Sequence, residues 1–231
     1  MERRYARQTA IPEIGPEGER KLLSGSVFIV GAGALGSVVA AYLAGAGIGR
    51  IGIADFDTID LTNLQRQVFF KESALGRSKV EELCAHITDL NSTISVVPYC
   101  QMITRRNASE FFREYDVIVD ATDNPASKYM TDAVCSSLGK PCVIGGVEQF
   151  RGQISTFLPG GTRYRDIFPD LPEDPGLTPC AVAGVIGPAA GVVGNLQAAE
   201  VIKLLSGAGE ALSGKILTFD LLNNSWQVFE I

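Results

Sequence analysis

The sequence predicts an α/β protein: a mostly parallel sheet with helices on both faces and an antiparallel C-terminal extension. Two observations carry this expectation. Short apolar runs alternate with stretches of helical length over residues 26–146, the β-α-β-α order of a parallel sheet. The first apolar run also empties into Gly31-Ala32-Gly33-Ala34-Leu35-Gly36, a glycine-rich turn between a strand and a helix.

The elements follow in order. Residues 15–24 are polar and amphipathic and read as a short helix. Residues 26–30 form an apolar strand, 35–46 a helix rich in Ala and Val, and 50–54 a second strand. Over 76–90, Val80, Leu83 and Ile87 fall on one helical face. A strand at 94–98, a short helix at 107–112, a strand at 115–120, a helix at 126–138 and a strand at 141–146 complete the alternation. Beyond Gly146 the texture changes. An added strand at 153–158 precedes residues 160–179, where Pro169, Pro172, Pro175 and Pro179 stand among acidic residues. So long a stretch with so little periodicity is expected to be a mobile functional loop. A helix over 188–205 and two strand-like stretches, 215–220 and 226–230, close the chain as an expected antiparallel pair. No linker divides it, so 1–231 reads as one domain.

Composition narrows the function. A net charge of −6 offers no basic face for a phosphate backbone, which argues against nucleic acid. The apolar runs are far shorter than a bilayer span, and Met1-Glu2-Arg3-Arg4-Tyr5 leads into no apolar signal segment. The expectation is a cytoplasmic protein without membrane partners. The five cysteines are irregularly spaced and form no C-x-x-C pair, and His86 is the single histidine, so no zinc site is expected. Cys84, Cys100, Cys135 and Cys142 lie within or beside predicted elements and read as core.

Gly31, Gly33 and Gly36 permit a tight turn and let backbone N–H groups approach a phosphate at a helix N-terminus. Asp55 ends the second strand, 19 residues after Gly36, where a carboxylate accepts hydrogen bonds from ribose hydroxyls. A Rossmann-like nucleotide fold fits this pattern without naming the nucleotide. An NAD-linked oxidoreductase is one reading, but the lone His86 lies mid-helix and supplies no proton-transfer group. Asn63, Gln65 and Arg66 follow the second strand instead, with Lys79 thirteen residues beyond Arg66. Arg presents a planar fork to phosphate oxygens and Lys a compact charge, so this cluster suits a triphosphate. Asp120-Ala121-Thr122-Asp123-Asn124 ends a strand at the C-terminal edge of the sheet. Asp123 is suited to Mg²⁺, yet either Asp123 or Asn124 could cap the following helix.

Taken together, "GAGALG", "DFDTIDLTNLQRQ", "GRSKVE", "DATDN" and "GVIGPAAGVVGNLQAAEVIK" resemble the ThiF/MoeB/HesA-type adenylyltransferases, bacterial relatives of the ubiquitin-activating enzymes. The likeness runs from Arg4-Tyr5-x-Arg7-Gln8 to the terminal strands. It implies that ATP is attacked at its α-phosphorus by the C-terminal glycine carboxylate of a small ubiquitin-like sulfur carrier ending in Gly-Gly. The products are an acyl-adenylate and pyrophosphate, for thiamin or molybdopterin sulfur supply. On this resemblance Asp55 holds the ribose, Asn63, Arg66 and Lys79 address the phosphates, and Asp123 binds Mg²⁺. Ala34 stands where the family has an ATP-contacting glycine. Arg7 matches an arginine that reaches the neighbouring subunit's ATP, which implies a homodimer. Cys180 occupies the position of a cysteine that in some relatives links to the carrier. Residues 26–146 are then the nucleotide-binding core, and 147–231 the carrier-binding and dimerisation extension. Arg163-Tyr164-Arg165-Asp166 replaces the first zinc-binding cysteine pair of many members, which removes zinc and leaves the nearby loop without that clamp. Adenylation of another carboxylate, such as a peptide end or a tRNA base, is the alternative within the same chemistry. The acidic charge speaks against tRNA.

Overall fold

The computed structural model describes residues 3–169 and 184–231. Its centre is an eight-stranded sheet. β1 (Ser26–Val30), β2 (Arg50–Ala54), β3 (Ser95–Tyr99), β4 (Val117–Asp120) and β5 (Cys142–Glu148) run parallel. β6 (Arg151–Phe157), β7 (Lys215–Asp220) and β8 (Ser225–Glu230) continue the sheet antiparallel. The strand order is β3-β2-β1-β4-β5-β6-β7-β8. The chain therefore reverses its direction of winding between β1 and β4, which opens a crevice at their C-terminal ends. β1 and β4 are near-continuous apolar runs because helices cover both faces there.

The helices are α1 (Ala6–Thr9), α2 (Gly15–Ser24), α3 (Gly36–Gly45), α4 (Lys79–Leu90), α5 (Ala108–Phe112), α6 (Pro125–Leu138), α7 (Tyr164–Ile167) and α8 (Gly187–Ser206). Two apolar cores result, one on each face of the sheet. Leu22, Leu43, Ile87 and Val193 bring α2, α3, α4 and α8 into the first. Phe28, Phe112, Val134 and Tyr164 bring α5, α6 and α7 into the second. α3 is buried almost all round because α8 crosses it, and a Cβ on Gly194 would stand 2.7 Å from the Cβ of Val38. The expected fold class is the one observed. Among the described residues no helix is long and apolar enough to cross a membrane.

Three expectations change in detail. α4 begins at Lys79 rather than 76, because Gly76 turns with φ +80° and Ser78 Oγ accepts from the Glu81 backbone N–H as the N-cap. Cys84, Cys135 and Cys142 are buried, but Cys100 is exposed and so is not part of the core. It lies just past the end of β3, an edge strand whose first residue is also exposed. Burial pushes the Cys84 thiol up to about 12, with Cys100 adding to the shift.

The proline-rich loop differs too. Within its described part, α7 is folded and docked on α6. The Arg163 guanidinium grips Asp132, with Nε 3.1 Å from both carboxylate oxygens and Nη2 3.0 Å from Oδ2. Asp166 Oδ2 accepts from the Arg163 backbone N–H at 2.7 Å, and Tyr164 packs edge-on against Tyr129 with ring centroids 5.0 Å apart. An ion pair and an aromatic cluster thus hold the segment that in the resembled family carries cysteines. Residues 170–179 and Cys180 lie outside the described residues.

Two outcomes follow from these contacts. Asp132→Ala leaves Arg163 without its partner and should lower stability by about 2 kcal/mol, read from urea denaturation. Among Cys84, Cys100, Cys135 and Cys142, iodoacetamide should modify Cys100 first in the folded protein, as peptide mapping would show.

Candidate nucleotide site

The site begins with the turn after β1. Gly31 adopts φ +98°, and a Cβ there would stand 3.1 Å from the Ala121 carbonyl oxygen, so the turn packs against the end of β4. A Cβ on Gly36 would fall onto the Gly31 carbonyl oxygen, which leaves only glycine at the start of α3. Gly33 is different. Its φ is not positive, and its Cβ would meet nothing nearer than Gln67 Nε2 at 3.6 Å. Nothing inside the chain demands glycine there; the free space lies where a ligand would approach the backbone. Ala34 is half-buried beside it.

Asp55 clamps this loop. Its Oδ2 accepts from the Ala32 backbone N–H at 2.7 Å and its Oδ1 from the Asp57 backbone N–H at 2.9 Å. Each oxygen keeps a lone pair for a further donor such as a ribose hydroxyl. The chain then turns through Leu61–Asn63, where Asp60 Oδ1 accepts from the Thr62 backbone N–H and Asn63 Oδ1 accepts from the Asp60 backbone N–H at 3.3 Å. Hydrogen bonds from Thr62 hold the Asp60 carboxyl below its ordinary pKa. Gln65 Nε2 donates to the Val185 carbonyl at 3.2 Å, tying this turn to the approach to α8. Arg66 Nη1 donates to the Thr62 carbonyl at 3.0 Å, which leaves other guanidinium N–H groups for a ligand. Lys79, at the first position of α4, is buried with Nζ 2.9 Å from Asp57 Oδ2. Its charge is aimed by a partly exposed carboxylate.

The third piece follows β4. Asn124 Oδ1 accepts from the Ala126 backbone N–H at 2.8 Å and is the N-cap of α6. Asp123 is exposed and makes no hydrogen bond or ion pair among the described residues, which settles which of the two side chains caps the helix. Below it Asp120 is fully buried and accepts from Thr122, Ser127, Thr131 and Lys128. Lys128 Nζ also donates to the carbonyls of Thr122 at 2.6 Å and Gly145 at 2.7 Å.

The structure therefore brings the Gly31–Gly36 loop, Asp55, the Asn63–Gln65–Arg66 turn, Lys79 and the Asp123–Asn124 turn to the C-terminal ends of β1, β2 and β4. Arg7 is elsewhere. Tyr5 is buried with its hydroxyl accepting from Asn91 Nδ2, which also donates to the Ala44 carbonyl, and Gln8 Nε2 donates to the Ala46 carbonyl. The Arg7 segment is thus anchored at the C-terminal end of α3, about 15 Å along the helix from the glycine loop. Sequence reasoning passed over Asp57, Asp120 and Lys128. The first two stand inside motifs that drew attention to their neighbours, and only the contacts reveal their work. Chemically, the arrangement presents backbone donors, a carboxylate fit for hydroxyls, two cations and one unengaged carboxylate on the segments that follow β1, β2 and β4.

Comparison with known proteins gives this crevice a family. The ThiF family model matches residues 5–231. The chain is 45% identical over 218 residues to the adenylyltransferase and sulfurtransferase MOCS3 of Aedes aegypti, covering 94% of this chain and 50% of that protein. It is 41% identical over 229 residues to MOCS3 of Sus scrofa, covering 99% and 50% respectively. The chain spans about half the length of the curated relatives it matches. Among solved structures, E. coli MccB with MccA-N7isoASN superposes with a TM-score of 0.87 at 25% identity, covering all of this chain and 72% of that one. E. coli MccB with ATP gives 0.79 at 26% identity, covering 92% of this chain and 65% of that one. With the family model matching nearly every residue around a crevice built at the expected strand ends, the chain belongs to the ThiF family.

Proposed function

We propose that this chain is an ATP-dependent adenylyltransferase that activates the C-terminal glycine carboxylate of a small ubiquitin-like sulfur carrier ending in Gly-Gly, in thiamin or molybdopterin sulfur supply. The observation that carries the reading is the grouping of the glycine loop after β1, Asp55 after β2 with Arg66 and Lys79 beyond it, and Asp123 after β4, at the C-terminal strand ends of a chain whose relatives are named adenylyltransferases. The residues present fit ATP: Gly33 leaves the loop backbone open, and Asp55 keeps acceptor capacity after shaping the loop.

In the reaction a carboxylate oxygen attacks the α-phosphorus, a new P–O bond forms, and the bond to the β-phosphate bridging oxygen breaks. Pyrophosphate departs with that electron pair, and no proton need be removed from the attacking group. The chain's task is alignment and charge neutralisation. Asp55 orients the ribose, the loop N–H groups cradle the phosphates, and Arg66 meets the charge that develops on them. Lys79 adds a second positive charge, held in place by Asp57. Asp123 would hold Mg²⁺, which would supply positive charge against the departing pyrophosphate. Among the described residues no group of three or more His, Cys, Asp or Glu side chains could hold a metal ion.

Arg7 supports a homodimer in this reading. It is exposed and lies away from its own glycine loop, which is consistent with the family resemblance by which it reaches the nucleotide of a second copy. Cys180 remains the proposed site of a link to the carrier. Activation of a different carboxylate is the second reading.

ATP–pyrophosphate exchange with Mg²⁺ should appear only when the correct carrier is added. Exchange with none of a panel of Gly-Gly carriers, alongside measurable ATP binding, would move the substrate to another carboxylate. Asp123→Ala should reduce Mg²⁺-dependent exchange at least a hundredfold with an unchanged melting temperature, since its carboxylate supports nothing else described. Retained exchange would remove Asp123 from the site.

A further inference from the structure

A cleft of about 550 Å³ opens between α6, α7 and the segment that joins β3 to α5. Its floor is one face of α6, where Ala126, Met130 and Ala133 stand at helical spacing and the two alanines leave room. Three guanidiniums line its walls. Arg163 is taken up by Asp132, with Nε 3.1 Å from Oδ1 and Nη2 3.0 Å from Oδ2. Arg165 stands on α7, which that ion pair clamps to α6, and its guanidinium carbon lies 5.7 Å from the centre of the Tyr129 ring. Arg105 faces the cleft from the opposite side of α6's exposed face. Arg105 and Arg165 are both exposed, and neither makes a hydrogen bond or ion pair among the described residues. The acids of the cleft are already engaged, Asp132 by the Arg163 guanidinium and Asp166 by the Arg163 backbone N–H. A local surplus of positive charge therefore stands open to solvent on a chain of net charge −6.

An Arg fork meets a carboxylate with two parallel N–H donors, and an apolar floor takes the side chains that flank it. The place of the cleft says whose carboxylates these are. Ala126 lies three positions past Asp123, about 5 Å along the chain's helical rise. A protein that brings its C-terminus to the Asp123 turn therefore has this cleft beside its path. We propose that the cleft docks an acidic segment of the activated carrier, whose Asp or Glu side chains pair with Arg105 and Arg165 while apolar neighbours rest on Ala126, Met130 and Ala133. The proposal rests on the reading of this chain as an activator of a protein C-terminus.

The test compares the wild type with Arg105→Glu/Arg165→Glu and with Arg20→Glu/Arg113→Glu, an equal change of charge at exposed residues that do not line the cleft. Two readings are taken: ATP–pyrophosphate exchange with the panel of Gly-Gly carriers, and the anisotropy of a fluorescein-labelled peptide of alternating Glu and Leu. The cleft variant should raise KM for the active carrier about tenfold, with kcat, KM for ATP and melting temperature unchanged, and should bind the peptide about tenfold more weakly. The other variant should match the wild type in both readings. Equal losses in the two variants would make the effect one of net charge and overturn the proposal. An unchanged KM for the carrier, or a fall in kcat alone, overturns it as well. So does displacement of the peptide by inorganic pyrophosphate at equal concentration, which would make the cleft a phosphate site. Where the Glu pair lowers the melting temperature, Arg105→Gln/Arg165→Gln decides by the same readings. If no carrier supports exchange, the reading of the function fails by itself, and the peptide alone decides whether the cleft takes acidic segments.

Discussion

The carboxylate of Asp120 lies at the end of β4 without solvent exposure, and four other side chains exist in their places because of it. Thr122 Oγ1, Ser127 Oγ, Thr131 Oγ1 and the Lys128 ammonium all donate to its two oxygens. An isolated buried carboxylate would be prohibitively costly, so this network must be complete if β4 is to end where it does. Completion fixes the geometry around it. Lys128 spans from the Thr122 carbonyl to the Gly145 carbonyl, joining the turn that presents Asp123 to the neighbouring strand β5. From the opposite face of the sheet, Gln197 of α8 donates to the Asp120 backbone carbonyl at 2.8 Å. One residue thus ties both helical layers to the strand end, its carboxylate to α6 and its backbone carbonyl to α8.

A hierarchy of supports follows. Asp120 shapes the turn of Asp123, Asp55 shapes the glycine loop, and Asp57 aims Lys79. In each case an acidic side chain spends itself on backbone N–H groups or on a cation. A net charge of −6 is therefore compatible with a site for a polyanion. What matters is which charges remain unengaged at the crevice, and Arg66 keeps most of its guanidinium donors.

Much of this was legible in the sequence because long periodic elements announce themselves. The bounds of α2, β1, β2 and β7 coincide with those read from the pattern, and the glycine turn sits in its expected place. The short helical turns Leu61–Asn63 and Glu72–Ala74 were not legible, since three residues carry no period. α7 was hidden for another reason. Its anchor, Asp132, lies 31 residues earlier in the chain, and only folding brings it beside Arg163. Cys100 shows the converse failure, in which proximity to a strand stood in for burial at a sheet edge that has none to offer. In the site, residue types at motif spacings identified the groups that face the crevice. The groups that hold them, Asp57, Asp120 and Lys128, have no spacing signature of their own, because their work lies in the contacts that folding makes: Asp57 with Lys79, and Asp120 with Lys128.

The strand order also bears on how the sheet is assembled. β7 and β8 form a hairpin in which Phe219 lies opposite Trp226, whereas β1 meets β4 with Val27 opposite Val117, a separation of 117 − 27 = 90 positions. Closing the longer loop costs about 2 kcal/mol more entropy than closing the shorter one. Non-local parallel pairing of this kind slows folding, while the hairpin is a microsecond event. The seam that carries the crevice is thus among the entropically dearest pairings in the sheet. A ligand that bridges the glycine loop and the Asp123 turn would hold together the two strand ends that the chain itself has most difficulty joining.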